Sequence, residues 1–174
     1  MIEILENKEK WSEEFRSGWL AYQKETGISN WQIYNRPTNE LTPGLPGIKL
    51  SESRLMLISS AGGYLAGRQK PFDAASAYGD YSIRTFPIST PFDALAFAHD
   101  HYDHAFVDRD PQVALPLRHL EQITTEGHIG RLASSVISFM GYQPDSARVV
   151  DEVIPEIISY AKANNVHAAL LAPT

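Results

Sequence analysis

Trp11, Phe15, Trp19 and Tyr22 recur at i, i+4, i+8 and i+11, with Glu9, Lys10, Glu13, Glu14 and Arg16 on the intervening positions. That spacing lines one face of a helix with aromatic rings and predicts a helix over residues 7–25, stopped at Gly27. Residues 35–50, NRPTNELTPGLPGIKL, hold three prolines and two glycines and predict an extended linker. The run RLMLISSAGGY that follows is apolar, then small. It predicts a buried strand running into a tight loop, where Gly62 and Gly63 allow positive φ or a close backbone approach. DYSIRTFPI, residues 80–88, alternates as a second strand, and DALAFAH predicts a third that delivers a histidine cluster at its end.

VALPLRHLEQITTEG predicts a helix with Leu117, Leu120 and Ile123 facing inward and Gly127 as its stop. RLASSVISFMGY fits a short helix or a strand equally. DSARVVDEVIPEIISYAKANNV predicts a helix capped by Asp145 or Ser146, with Val150, Ile154, Ile157 and Ala161 on one face and a bend at Pro155. HAALLAPT is continuously apolar and predicts a buried strand; a helix followed by such a strand is the mark of a parallel sheet. The expected fold is α/β, Rossmann-like, a mostly parallel sheet flanked by helices with an N-terminal helical extension. Its expected division is residues 1–50, helix and Pro/Gly-rich linker, and residues 54–174, the α/β domain.

Composition narrows the function classes. A net charge of −6, with no cluster of Lys and Arg among aromatics, argues against a nucleic-acid partner. No apolar run reaches the roughly 18 residues of a membrane span, and the first residues lack a signal-peptide pattern, so a cytoplasmic location is expected. The 174 residues contain no cysteine, which removes disulfides and Cys-bearing zinc sites.

AHDHYDHAF, residues 98–106, holds three of the chain's six histidines. His99-Asp100-His101-Tyr102-Asp103-His104 has the H-x-H-x-D-H spelling of the first zinc motif of the metallo-β-lactamase superfamily, and imidazole with carboxylate suits a metal that activates water. The other histidines, His119, His128 and His167, fall in a helix, its terminal turn and the last strand. The alternative is a polar loop whose histidines bond locally. His119 is expected on the solvent face of its helix, His128 as a cap on that helix's free carbonyls, and Tyr102 as a packing residue. Asp108, Arg109 and Asp110 read as a solvated turn.

From residue 54 onward several blocks occur in an order that resembles the selenoprotein B family of glycine, sarcosine, betaine and D-proline reductases. They are LISSAGGYL, PFD at 71–73, GDYSIRTFPIST at 79–90, AHDHYD at 98–103, DRDPQVALPLRHLEQITTEGHIGRL at 108–132, SFMGY at 138–142 and the closing VHAALLAP. The resemblance implies an oxidoreductase subunit that cleaves a small amino-acid-like substrate reductively with thiol or selenol chemistry. It implies a selenocysteine or cysteine directly after the last strand, just beyond Thr174. With no cysteine in the chain, the expectation is a sequence stopped at a selenocysteine codon and inactive as it stands, with no cofactor and no metal of its own. The resemblance makes His99, His101 and Asp103 the candidates for lowering the thiol pKa and protonating a leaving amine. Gly62 and Gly63 are candidates for offering backbone N–H groups to a substrate carboxylate, and Arg84 for clamping one. The expected partners are a small-molecule substrate and either a second copy of the chain or a complementary reductase subunit. Two other functions stay open: a non-catalytic binding or assembly module, and a metal-dependent hydrolase built on the histidine cluster.

Overall fold

Strand β1, Arg54–Ser59, is buried along nearly its whole length and carries apolar side chains to both faces of a sheet. Leu55 and Leu57 point to one side and Met56 and Ile58 to the other, as the two-residue period of a strand requires. In the computed structural model residues 4–41 and 47–174 are described; residues 42–46 of the expected linker lie outside them.

The elements follow in chain order. The N-terminal helix comprises α1, Lys8–Phe15, a π-helical turn at Arg16–Leu20, and α2, Ala21–Thr26, and ends at Gly27 in the left-handed region with φ 72°. After β1 comes β2, Gly63–Leu65, then β3, Arg84–Pro87, β4, Leu95–Phe97, and α3, Ala105–Arg109. Next are α4, Leu117–Thr125, β5, Arg131–Leu132, and β6, Ser135–Ser138. The last elements are α5, Ser146–Arg148, α6, Ile154–Ala163, and β7, Ala168–Ala172.

The main sheet is mostly parallel. β7 runs parallel to β1 on one side, β5 and β6 run parallel to it on the other, and β3 closes the far side antiparallel to β6. α4 covers the Leu55/Leu57 face through Leu117, Leu120 and Ile123, the three residues its periodicity pointed inward. α6 covers the opposite face through Ile157, Tyr160 and Ala161. The segment that fitted helix or strand is thus strand, and its apolar Val136 and Ile137 are fully buried in opposite faces.

Four expectations are corrected. The strand read in DALAFAH exists as β4 but lies outside the main sheet, pairing antiparallel with β2. The irregularity expected at Pro155 falls one turn earlier, in a π-helical segment at Val149–Val153. Pro155 lies two residues past that segment, inside a helix that runs without a break from Ser146 to Ala163, and has no N–H to give the preceding turn. β7 is not buried: with β1 as its one strand partner among the described residues it forms an edge, and Leu171 is 67% exposed. The ring of His128 bonds no helix carbonyl. It lies 3.8 Å from Glu126, and the backbone N–H of His128 closes the turn on Ile123.

The N-terminal helix docks its aromatic stripe onto the start of α5. Leu5, Trp11, Phe15 and Trp19 form a buried cluster with Ala147, tied at its edge by Lys8 to Asp151 at 2.6 Å. Asp145 caps α5 by accepting from the Ala147 and Arg148 N–H groups. Among the described residues no helix is long and apolar enough to cross a membrane.

Leu117 is fully enclosed and Leu171 lies on the open edge, so the two leucines should respond very differently to truncation. Leu117→Ala is expected to lower unfolding free energy by about 2–5 kcal/mol, and Leu171→Ala by no more than about 0.5 kcal/mol. Urea unfolding followed by far-ultraviolet circular dichroism checks both.

Candidate functional site

Parallel strands that end at one edge of a sheet leave their last residues around a shared crevice, where open α/β sheets bind ligands. Here β1, β6 and β7 end together. Ser60 continues β1: its N–H donates to Ala172 of β7 at 3.1 Å, and its carbonyl accepts from Gly141, beyond β6, at 2.9 Å. Its hydroxyl accepts from the Thr174 N–H at 3.0 Å and lies 3.1 Å from the Thr174 hydroxyl.

His99 reaches the same crevice from the end of β4 and is 4% exposed. The chain is brought there by Gly62, whose φ of 70° lets its carbonyl accept from the Ala98 N–H at 3.0 Å. A Cβ at Gly62 would stand 2.4 Å from the Ala98 carbonyl oxygen, so the turn admits no side chain. On the other side Gly141 keeps the space open. A Cβ there would lie 3.2 Å from His99 Nε2 and 3.3 Å from Ser60 Oγ, so both atoms border one small volume over the Gly141 backbone.

The imidazole of His99 is held from behind. Its Nδ1 accepts from the His101 N–H at 3.2 Å, and its carbonyl is 2.6 Å from His104 Nε2. An Nδ1 that accepts leaves the proton of the neutral ring on Nε2, facing the crevice. Burial depresses the His99 pKa below the usual imidazole value, and the neighbouring His101 and His104 push it the same way. Tyr102 stands edge-on to His99 at 5.0 Å and donates its hydroxyl to the Ala61 carbonyl at 3.1 Å. Burial, reinforced by the Asp108 carboxylate, lifts that phenol to about 12 and keeps it a donor.

The cluster's other members diverge. His101 is exposed and stacks on Tyr142, centroid to centroid 3.8 Å, and Tyr142 in turn packs against Trp31. His104 stacks on Tyr102. Asp103 turns away and accepts from the Ala105 N–H at the start of α3. Among the described residues no three His, Asp or Glu side chains converge to hold a metal ion. The Gly62 N–H is taken by the Phe139 carbonyl at 2.9 Å, while a Cβ on Gly63 would lie 3.5 Å from Ser138 Oγ, a buried hydroxyl with no hydrogen-bond partner among the described residues. Arg84 starts β3 opposite Ser138, at the same end of the sheet. Its Nε donates to the Lys70 carbonyl, its Nη1 to Ser82 and to the Ile83 carbonyl, and its guanidinium covers Phe72 at 4.4 Å.

Ser60, Gly141 and Tyr142 complete this site, and periodicity singled out none of them. The available signal was position: each stands just past the carboxyl end of a strand.

The sequence profile of the glycine/sarcosine/betaine reductase selenoprotein B family matches residues 33–174. The chain is similar to the D-proline reductase subunit gamma of Acetoanaerobium sticklandii, with 30% identity over 123 residues, 71% of this chain and 49% of the relative. It is similar to the sarcosine reductase complex component B subunit beta of Peptoclostridium acidaminophilum, with 32% identity over 62% of this chain and 25% of the relative. A third likeness is to the glycine reductase complex component B subunit gamma of Carboxydothermus hydrogenoformans, 29% identical over 79% of this chain and 32% of the relative. The chain thus spans from a quarter to about half the length of these relatives. No solved structure matches it.

Because the folded-state pKa of His99 lies below its unfolded value of about 6.5, the unfolded chain takes up this proton first on acidification. The stability this ring contributes is present above about pH 6.5 and falls as pH drops from there to the folded pKa, below which it changes no further. His99→Gln is expected to flatten the loss of unfolding free energy between about pH 6.5 and pH 5. Urea titrations at several pH values measure it, and parallel pH curves for the two proteins would count against the assignment.

Proposed function

The chain belongs to the glycine/sarcosine/betaine reductase selenoprotein B family, and from that premise we propose that it is part of a thiol- or selenol-dependent reductase acting on a small amino-acid-like molecule. One observation carries the reading. Ser60 Oγ, which holds Thr174 beyond the carboxyl end of β7, borders the same small volume as Nε2 of the buried His99. A selenocysteine or cysteine carried just past β7 fits this surrounding, which offers a desolvated imidazole and polar backbone rather than a competing ligand. Such a residue supplies a nucleophile and electron-pair donor for cleaving a carbon–heteroatom bond, with a dithiol as the final source of two electrons and two protons.

The chain's own residues then divide the remaining work. His99, kept neutral by burial and with its Nδ1 occupied by the His101 N–H, presents its Nε2–H to the crevice, where it donates a hydrogen bond to a thiolate or selenolate. His101 borders the mouth from its seat on Tyr142, and Asp103 shapes the loop that holds both histidines. Arg84 and Gly63, near Ser138 at the same strand ends, form the substrate-carboxylate side, with Gly62 setting the turn. The divergent rings of His101 and His104 favour this reading over a metal-dependent hydrolase.

We also propose that the sheet is a Rossmann-like half and that its partner is a complementary reductase subunit, with self-association as the alternative. Support comes from β7, an apolar strand free of charged residues yet lying at an edge, and from the relatives, which are named as subunits.

The test extends the reading frame beyond Thr174, with cysteine in the first position, and assays dithiol-dependent reduction of D-proline, glycine, sarcosine and betaine. The 174-residue chain is expected to be inactive and the extended chain active, with His99→Gln lowering kcat of the latter by about 10²- to 10⁴-fold. Equal activity in the short and extended forms overturns the reading.

A further inference from the structure

We propose that Ser60 is the positioning residue of this site: its hydroxyl fixes the chain beyond β7 so that a redox residue carried there faces His99. This rests on the reductase reading and goes beyond it by assigning a task to a side chain that touches no reacting atom.

The need for such a residue follows from the backbone. Pairing of β7 with β1 ends at Ala172, whose carbonyl takes the Ser60 N–H. Pro173 comes next with its nitrogen facing away from β1, so the following rung falls to the Thr174 N–H, and the Ser60 carbonyl that would accept it is turned to Gly141. An edge strand that has run out of ladder bonds ordinarily frays. Here the Ser60 hydroxyl stands in for the missing rung. It accepts from the Thr174 N–H at 3.0 Å, which leaves its own proton available to the Thr174 hydroxyl at 3.1 Å.

Ser60 is itself well anchored. It is 9% exposed, its N–H is bound to β7 and its carbonyl to the Gly141 N–H, so one residue joins the ends of three parallel chain segments. Its Oγ and His99 Nε2 flank the same point over Gly141. One serine therefore both holds Thr174 and borders the open side of the imidazole. Alanine at this position leaves the ladder intact up to Ala172 and releases Thr174. Threonine keeps the hydroxyl.

A cysteine placed directly after Thr174 in the full chain makes the alignment measurable without any turnover. The pH profile of its alkylation by iodoacetamide reports the thiol pKa, ordinarily about 8.5 and lowered by a well-placed imidazole. With Ser60 present, the profile is expected to lie below that value and to rise on His99→Gln. In Ser60→Ala it is expected to lie higher already, with alkylation at pH 7 slowed about three- to tenfold, and to respond no further to His99→Gln; Ser60→Thr restores the parent profile. Thr174→Val removes one of the two bonds from an exposed position without touching the core, and is expected to move the profile part of the way.

A Ser60→Ala or Thr174→Val profile identical to the parent's, still sensitive to His99→Gln, overturns the role of Ser60 and leaves the reductase reading standing. A parent profile insensitive to His99→Gln sinks the reading itself. Loss of circular dichroism in Ser60→Ala would transfer the decision to Thr174→Val.

Discussion

Burial of β1 on both faces is the constraint on which the rest of this structure depends. A strand with Leu55 and Leu57 on one side and Met56 and Ile58 on the other must have a cover on each, and α4 and α6 are those covers. Since both helices precede strands that run parallel to β1, they also determine that β6 and β7 end where β1 ends. The crevice at the carboxyl ends is a by-product of burying a hydrophobic strand twice. Small residues complete it: Ser59 at the end of β1, Ser60, Gly62 and Gly63 after it, and Ser138 and Gly141 around the end of β6. Larger side chains would fill the volume that His99 Nε2 and Ser60 Oγ border.

The histidine cluster shows how spelling and geometry part company. Three imidazoles within six positions invite a metal, but a loop turning through Asp100 and Asp103 into α3 sends successive rings to different neighbours. His99 goes inward, His101 to Tyr142 and His104 to Tyr102. Of the cluster's rings only His99 is buried, and desolvation makes it a neutral group with an N–H to donate rather than a fixed cation. The two partners hold it in place, one through a backbone N–H and the other through a ring nitrogen.

Long periodic segments are legible from the pattern of the chain: Trp11, Phe15 and Trp19 of the first helix, the inward Leu117, Leu120 and Ile123, and the Asp145 cap stand as read, whereas beyond the π-helical turn Gln23 is buried and Tyr22 lies outside the aromatic cluster. Each failure has a physical source. The apolar run in β7 carries no information on how many neighbours the strand has, so an edge was read as an interior. The short runs around Leu95 specify a strand but not its partner, and β4 pairs with β2 instead of joining the main sheet. π-helical turns add a residue without altering which residue types are apolar, so neither was visible. At the site His99 could be singled out by its chemistry. Ser60 could not, because its role comes from holding Thr174, more than a hundred residues away.

The aromatic packing of the N-terminal helix also decides what light can report about this molecule. All three tryptophans, Trp11, Trp19 and Trp31, belong to one ladder that runs from the first helix through Tyr34 to Tyr142 and ends on the ring of His101. The parallel sheet contains none. Intrinsic emission is therefore a local gauge of how the helix sits on α5, with the stacked ring of His101 at its far end.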